Sequence, residues 1–187
     1  MPAGGFEARR MATPSQPVRG IEIEWRPLRE GDLGYVAALE AEIHSAPWTI
    51  ANFRDSLAAG HSACLGQSEG RVLVYGVLML APGEAEILNL SVVPDARRRG
   101  LGRALLRRFV DDARRLGAEQ LFLEVRLSNT GAIALYEAEG FARVARREAY
   151  YPPRTPGAPR EDALVMRRPL EPDPARRVIL DVADGRA

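Results

Sequence analysis

At 187 residues, with 46% hydrophobic and 27% charged side chains, the chain has the make-up of one globular domain with tails. No apolar run approaches the roughly 18 residues that span a bilayer, and a net charge of +1 argues against a bulk electrostatic binder of nucleic acid. All 26 basic residues are arginine, which excludes lysine Schiff-base chemistry and lysine self-acetylation.

Cysteine and histidine usage narrows the chemistry further. Cys64 is alone, so no internal disulfide forms, and His44 and His61 are too few for a zinc site, so no metal is expected. The simplest compartment is the cytoplasm. Residues 1–20, rich in Pro, Gly, Ala and Arg and without an apolar core, read as a disordered extension rather than a secretory signal, and Met11 is a second candidate start. The predicted domain runs over 21–170. Residues 171–187 read as a polar tail in which only Val178-Ile179-Leu180 has apolar character.

Alternation over Ile21–Trp25 predicts an opening strand. Apolar spacing predicts a helix over Gly31–Ile43, with Asp32 as its N-cap, and Thr49 caps a second helix reaching Leu57. Strands follow at Ala63–Gln67 and Val72–Leu80, turned by Glu69-Gly70, and a fourth runs over Ala85–Val93 after Pro82-Gly83. A long helix over Leu101–Leu116 places Leu101, Leu105, Phe109 and Ala113 at four-residue steps and ends at Gly117. Asp111 and Asp112 interleave with its arginines, so that face reads as a solvated, salt-bridged one, and no direct nucleic-acid contact is expected. Gln120–Val125 is a buried strand, and Ser128 or Asn129 opens a helix that Gly140 closes. Phe141–Ala149 and Ala163–Arg168 are the last strands, joined by the link Pro152–Pro159. The order β-α-α-β-β-β-α-β-α-β-β predicts an α/β fold, a mixed sheet flanked by helices.

The stretch Arg97-Arg98-Arg99-Gly100-Leu101-Gly102-Arg103 turns a strand into a helix through glycines. Such a junction presents unpaired backbone N–H groups at the positive end of the helix dipole, a cradle for phosphate. No Gly-Lys-Ser/Thr follows, and Leu105 stands where a dinucleotide fingerprint needs its third glycine. An ordinary glycine turn fits the same residues.

Three downstream features are candidates to carry chemistry. Glu124, in Leu121-Phe122-Leu123-Glu124-Val125-Arg126, shares a strand face with Phe122 and Arg126. It fits a general base among apolar neighbours, or a surface carboxylate paired with Arg126. Asn129 fits a helix cap. Tyr136, four residues before Gly140, fits a core aromatic or a proton donor.

Taken together, Arg-x-x-Gly-x-Gly, Leu-Glu-Val-Arg-x-Ser-Asn and Leu-Tyr-x-x-x-Gly-Phe, in this order and spacing, resemble the GNAT superfamily of N-acetyltransferases. Ala46-Pro47-Trp48, Leu88–Val92, Tyr150-Tyr151-Pro152 and Arg160–Ala163 add a similarity to its bacterial ribosomal-protein-alanine subfamily. The resemblance implies a mostly antiparallel GNAT-like sheet and acetyl-CoA as co-substrate. By position it implies Leu90, Ser91 and Val92 as backbone contacts to the pantetheine arm and thioester, with Asn89-Leu90 where the strand splays. It assigns Arg98, Arg99, Gly100, Leu101, Gly102 and Arg103 to the pyrophosphate, Asn129 to the cofactor, Glu124 as general base and Tyr136 as general acid. The expected partner is the basic N-terminus of a ribosomal protein, its alanine α-amine taking the acetyl group, with Glu84, Glu86, Glu161 and Asp162 as candidates to attract it. Lysine or small-molecule amines, and a non-catalytic acyl-CoA sensor, are the alternatives.

Overall fold

The computed structural model describes residues 16–155 and 157–171. Met11 and the Val178–Leu180 run lie outside the described residues. The described chain starts with a strand that composition did not predict. β1 (Gln16–Val18) pairs antiparallel with β2 (Ile21–Pro27), Val18 opposite Ile21. Arg19 and Gly20, with φ of +46° and +83°, form the tight two-residue turn between them. The expected disordered extension is therefore corrected from Gln16 onward, where a ladder satisfies the backbone.

A single 3-10 turn (Glu30–Asp32) leads into α1 (Leu33–Ile43). Asp32 does not cap it. Its carboxylate accepts Arg26 Nη1 and Nη2 at 2.8 Å each and the Arg29 amide at 2.9 Å, and the Arg26 hydrogen bond holds it below the usual carboxylate range. Thr49 does cap α2 (Ile50–Ala58), exchanging hydrogen bonds with Asn52. Then come β3 (Ser62–Ser68), β4 (Arg71–Ala81), β5 (Glu84–Val92), α3 (Leu101–Arg115), β6 (Gln120–Arg126), α4 (Thr130–Ala138), β7 (Ala142–Tyr151) and β8 (Glu161–Pro169).

The strands lie in the order β1-β2-β3-β4-β5-β6-β8-β7, and among the described residues only β5 and β6 run parallel. Two cores grip the sheet, one on each face. Leu101, Leu105, Leu106, Phe109, Val110 and Ala113 of α3 pack with Ile133 and Tyr136 of α4 and with Ile87, Leu121 and Leu123 of the strands. Leu33, Val36 and Phe53 of α1 and α2 pack with Leu65, Tyr75 and Val77. Each fully buried Leu or Phe contributes about 1.5–3 kcal/mol, so the α3 stripe fixes that helix, and its N-terminus, firmly to the sheet.

The ladder between β4 and β5 contains a bulge. Val77 faces Asn89 and Leu78 faces Ile87, leaving Leu88 as the extra residue. Gly76 makes the close approach there possible, since a Cβ on it would lie 2.5 Å from the Asn89 carbonyl oxygen. Beyond this point β5 stays paired to β4 as far as Val92 but leaves β6, whose parallel pairing ends at Ile87 opposite Leu123. Meanwhile β6 stays paired with β8 to Arg126. A wedge therefore opens between two well-held strands.

Candidate active site

The glycine loop stands at one end of this wedge. After Val93 the chain makes a 3-10 turn (Pro94–Ala96), Arg98 takes a left-handed φ of +62° and Gly100 one of +88°. Gly100 caps α3 without any side-chain hydrogen bond, so the first amides of α3 have no intrahelical acceptor and face outward as donors. Arg98 and Arg99 are exposed beside them, and Arg97 is tied back by its Nε to the Val92 carbonyl at 3.2 Å.

Two loop residues differ from expectation in what they can offer. The Leu101 side chain is buried in the core, so only its backbone is available. Arg103 Nε lies 2.9 Å from Glu139, which also accepts Arg107 at 2.8 Å. These arginines clamp α3 to the end of α4 instead of forming a purely solvated face. Asn129 is the cap of α4: its Oδ1 accepts the Ala132 amide at 3.3 Å.

Along the wedge, Leu90 and Val92 pack partly against the core, and their strand lacks a partner on the β6 side. Ser91 is buried, with its side chain turned toward α1. Across the wedge, Glu124 alternates with buried Leu123 and Val125 and so lies on the sheet face away from α3. Its carboxylate, 14% exposed, meets Arg147 Nε at 2.8 Å. The predicted partner Arg126 instead stacks over Tyr151, 4.4 Å from its ring centre, and binds Glu161. The Tyr150 hydroxyl donates to Glu124, and that bond raises the Tyr150 phenol above its ordinary range. Burial, with the nearby Glu124 charge, raises the Glu86 carboxyl. A pair of carboxylates edged by two tyrosines thus lines this face.

Tyr136 comes from α4 and is buried against Phe141, ring centres 5.9 Å apart. Burial alone pushes its phenol up to about 12, and among the described residues none accepts its hydrogen bond.

Two of the acidic residues expected to attract a basic terminus are engaged within the protein. Burial would push the Glu161 carboxyl up, but the Ser128 hydroxyl and amide, with Arg126 and Arg154, bring it down to about 2. Asp162 holds Arg146 and accepts the Ala149 amide at 2.8 Å. Of the four, Glu86 lies beside Glu124, and Glu84 is exposed at the start of β5.

The residues sequence reasoning missed are Glu40 on α1 and His44, which follows its last turn. Glu40 is 1% exposed, and its Oε1 accepts Tyr75 Oη at 3.0 Å, Asn89 Nδ2 at 2.9 Å and Ser91 Oγ at 2.9 Å. Its Oε2 accepts the Trp48 amide at 3.2 Å. His44 Nε2 lies 2.8 Å from Ser91 Oγ. The available signal was a carboxylate in the apolar stripe of α1, four residues after the buried Val36.

Among the described residues no cluster of His, Cys, Asp and Glu can hold a metal ion, and no helix is long and apolar enough to cross a membrane.

Residues 21–141 match the family model described as the acetyltransferase (GNAT) family. The chain is 36% identical over 143 residues to the ribosomal protein bS18-alanine N-acetyltransferase of Escherichia coli strain K12, covering 76% of this chain and 95% of that protein. It is 39% identical over 148 residues to the N-alpha-acetyltransferase RimI of Mycobacterium tuberculosis, covering 75% of this chain and 89% of that one. The crystal structure of the E. coli ribosomal-protein-S18-alanine N-acetyltransferase matches with a TM-score of 0.74 at 33% identity, over 81% of this chain and 96% of that chain. The family model spans the glycine loop and the splayed strands β5 and β6, and this chain belongs to the acetyltransferase (GNAT) family.

Proposed function

We propose that the chain transfers the acetyl group of acetyl-CoA to the α-amine of a protein that begins with alanine, a small-subunit ribosomal protein being the substrate class. The observation that carries this reading is the wedge between β5 and β6, with anion donors at one end and proton-transfer groups on both sides. In it the backbone amides of 100–103, with Arg98 and Arg99, hold the pyrophosphate. The free edge of Leu90–Val92 binds the pantetheine arm and stabilises the oxyanion, and Asn129 adds a contact. Glu124 accepts a proton from the attacking nitrogen, and Tyr136 donates a hydrogen bond to the departing sulfur.

The acceptor follows from basicity as well as from the relatives' names. An α-amine with pKa of about 7.7–8.0 is already on the order of 10% neutral at pH 7, against roughly 0.04% for a lysine near 10.4. A site whose carboxylates are Glu124 and its neighbour Glu86 suits the easier of these deprotonations. The test offers an alanine-starting basic peptide, the same peptide with a blocked α-amine and a lysine, and spermidine as competing acceptors. Mass spectrometry should place the acetyl group on the free α-amine. Preferential modification of the blocked peptide or of spermidine overturns the acceptor, and thioester binding without transfer to any of them supports a sensor instead.

The cofactor half has its own test. A Cβ on Gly102 would lie 3.5 Å from Val92 Cγ2 and 3.6 Å from Leu135 Cδ2, ordinary contacts, so alanine fits the protein itself. The further methyls of valine crowd Val92, Leu135 and Leu90 and so displace the first turn of α3, whose amides form the cradle. Gly102→Val is expected to weaken acetyl-CoA binding at least roughly tenfold, ~1.4 kcal/mol, by calorimetry, with Gly102→Ala as the folded control. Unchanged affinity in the valine variant removes this loop as the phosphate cradle.

A further inference from the structure

We propose that His44 is a second proton acceptor of the transfer reaction, held in one tautomer by Ser91 and Glu40 beside the free edge of β5. The inference rests on the reading above and goes beyond it, since neither the motifs nor the expected roles include α1.

Every contact to the Glu40 carboxylate is a donor: the Tyr75 and Ser91 hydroxyls, the Asn89 amide and the Trp48 backbone N–H. Glu40 is therefore an acceptor only. Ser91 has one hydroxyl proton, and both oxygens within its reach, Glu40 Oε1 at 2.9 Å and Asn89 Oδ1 at 3.2 Å, take it away from His44. Toward His44 the Ser91 oxygen presents a lone pair. His44 Nε2 must then carry the proton and donate it across 2.8 Å, which leaves the lone pair on Nδ1.

The position fits the chemistry. His44 ends α1, 42% exposed, one hydrogen bond from the strand segment that meets the thioester. The charged groups that act on it come from each neighbouring element. Glu40 on its own helix lies 3.6 Å away, and Arg97 of the glycine loop, Arg126 of β6 and Arg154 of the β7–β8 link face it. Burial first, then the three arginines, lower the imidazole below its ordinary range, and Glu40 opposes them. That direction favours the neutral ring, the form that can accept a proton.

The proton balance assigns two groups. An ammonium N–H breaks as Nδ1–H forms on His44, and Glu40 steadies the imidazolium. The freed lone pair forms the C–N bond at the thioester carbonyl. The nitrogen of that adduct is far more acidic than the starting ammonium, and it sheds its second proton to Glu124. The C–S bond then breaks, that second proton ends on sulfur, and His44 returns the first to solvent. Transfer from an α-amine to an ordinary imidazole is uphill by on the order of tenfold, and further uphill to the lowered imidazole of His44, against several thousandfold to an ordinary carboxylate. The imidazole suits the first proton and the carboxylate the second.

The experiment has two arms. In the wild-type protein, long-range 1H–15N spectra resolve the two histidines, assigned with His61→Gln. His44 is expected as the Nε2–H tautomer, titrating below pH 6.5; an Nδ1–H tautomer, or titration above 6.5, overturns the proposal. In the second arm, His44→Gln should lower kcat/KM at least about tenfold at pH 7 and abolish the acid limb of its pH profile. Acetyl-CoA affinity should not change, and imidazole should partly rescue His44→Ala. An unchanged acid limb, or loss of acetyl-CoA binding together with activity, overturns the role of His44 and leaves the acetyltransferase reading standing. A wild-type protein that neither binds acetyl-CoA nor acetylates any acceptor overturns that reading itself.

Discussion

Glu124→Gln is expected to lower turnover by roughly 10²–10⁴ while acetyl-CoA binding stays at its wild-type value. The substitution keeps the size of the side chain and removes its capacity to take a proton. It also breaks the 2.8 Å contact with Arg147, so a purely structural explanation needs its own control. Arg147 is more than half exposed, and pairs of that kind are worth about 0–1 kcal/mol. Arg147→Ala therefore separates the roles. If Glu124 acts on the reacting nitrogen, Arg147→Ala should retain most of the turnover and Glu124→Gln should not. Equal losses in the two variants would reduce Glu124 to a strut for β7, and near-normal turnover in Glu124→Gln would move the proton acceptor elsewhere in the wedge.

Glu124 also shows how far local pattern reaches. Period-two alternation in β6 put Phe122, Glu124 and Arg126 on one face, and the strand bears this out. The partner of Glu124 was out of reach of the same reasoning, because Arg147 arrives from β7, the edge strand of the sheet. The glycine loop was legible because strand, turn and helix are contiguous. Its side chains were less so: the carboxylate that engages Arg103 and Arg107, Glu139, lies a whole strand and helix later.

The features with no local signal are those built by distant chain segments. The wedge depends on β5 and β6 pairing in parallel and then parting, a relation between strands separated by α3. The Glu40 network joins α1 to β4 and β5 across 35 to 51 residues. A sequence pattern can flag Glu40 as a misplaced charge on an apolar stripe, but its donors become neighbours only when the helix lands on the sheet. The β1–β2 hairpin was hidden for the opposite reason. Its ladder is short, and the composition around it is that of a tail.

Tyr136→Phe is expected to lower turnover by roughly 10- to 100-fold with little change in stability. The ring and its packing against Phe141 survive the substitution, and only the hydroxyl is lost. Burial has raised this phenol to about 12, so it is protonated across the working pH range. A thiol near the cysteine reference of about 8.5 is more acidic by some 3.5 pH units, which makes full transfer from Tyr136 to the sulfur uphill by about 5 kcal/mol. The more favourable role is a hydrogen bond donated as negative charge gathers on the sulfur, and bonds to charged groups contribute about 1.5–3 kcal/mol. That range sets the expected loss. It also fixes a pH signature: the raised phenol places no alkaline limb from Tyr136 below about pH 11, so wild type and Tyr136→Phe should show the same profile, displaced only in height. Single-turnover rates across pH 6–10, with thermal unfolding in parallel, test both. Unchanged turnover with a lowered melting temperature would make Tyr136 a core aromatic, and an alkaline limb that vanishes in Tyr136→Phe would make it a titrating acid.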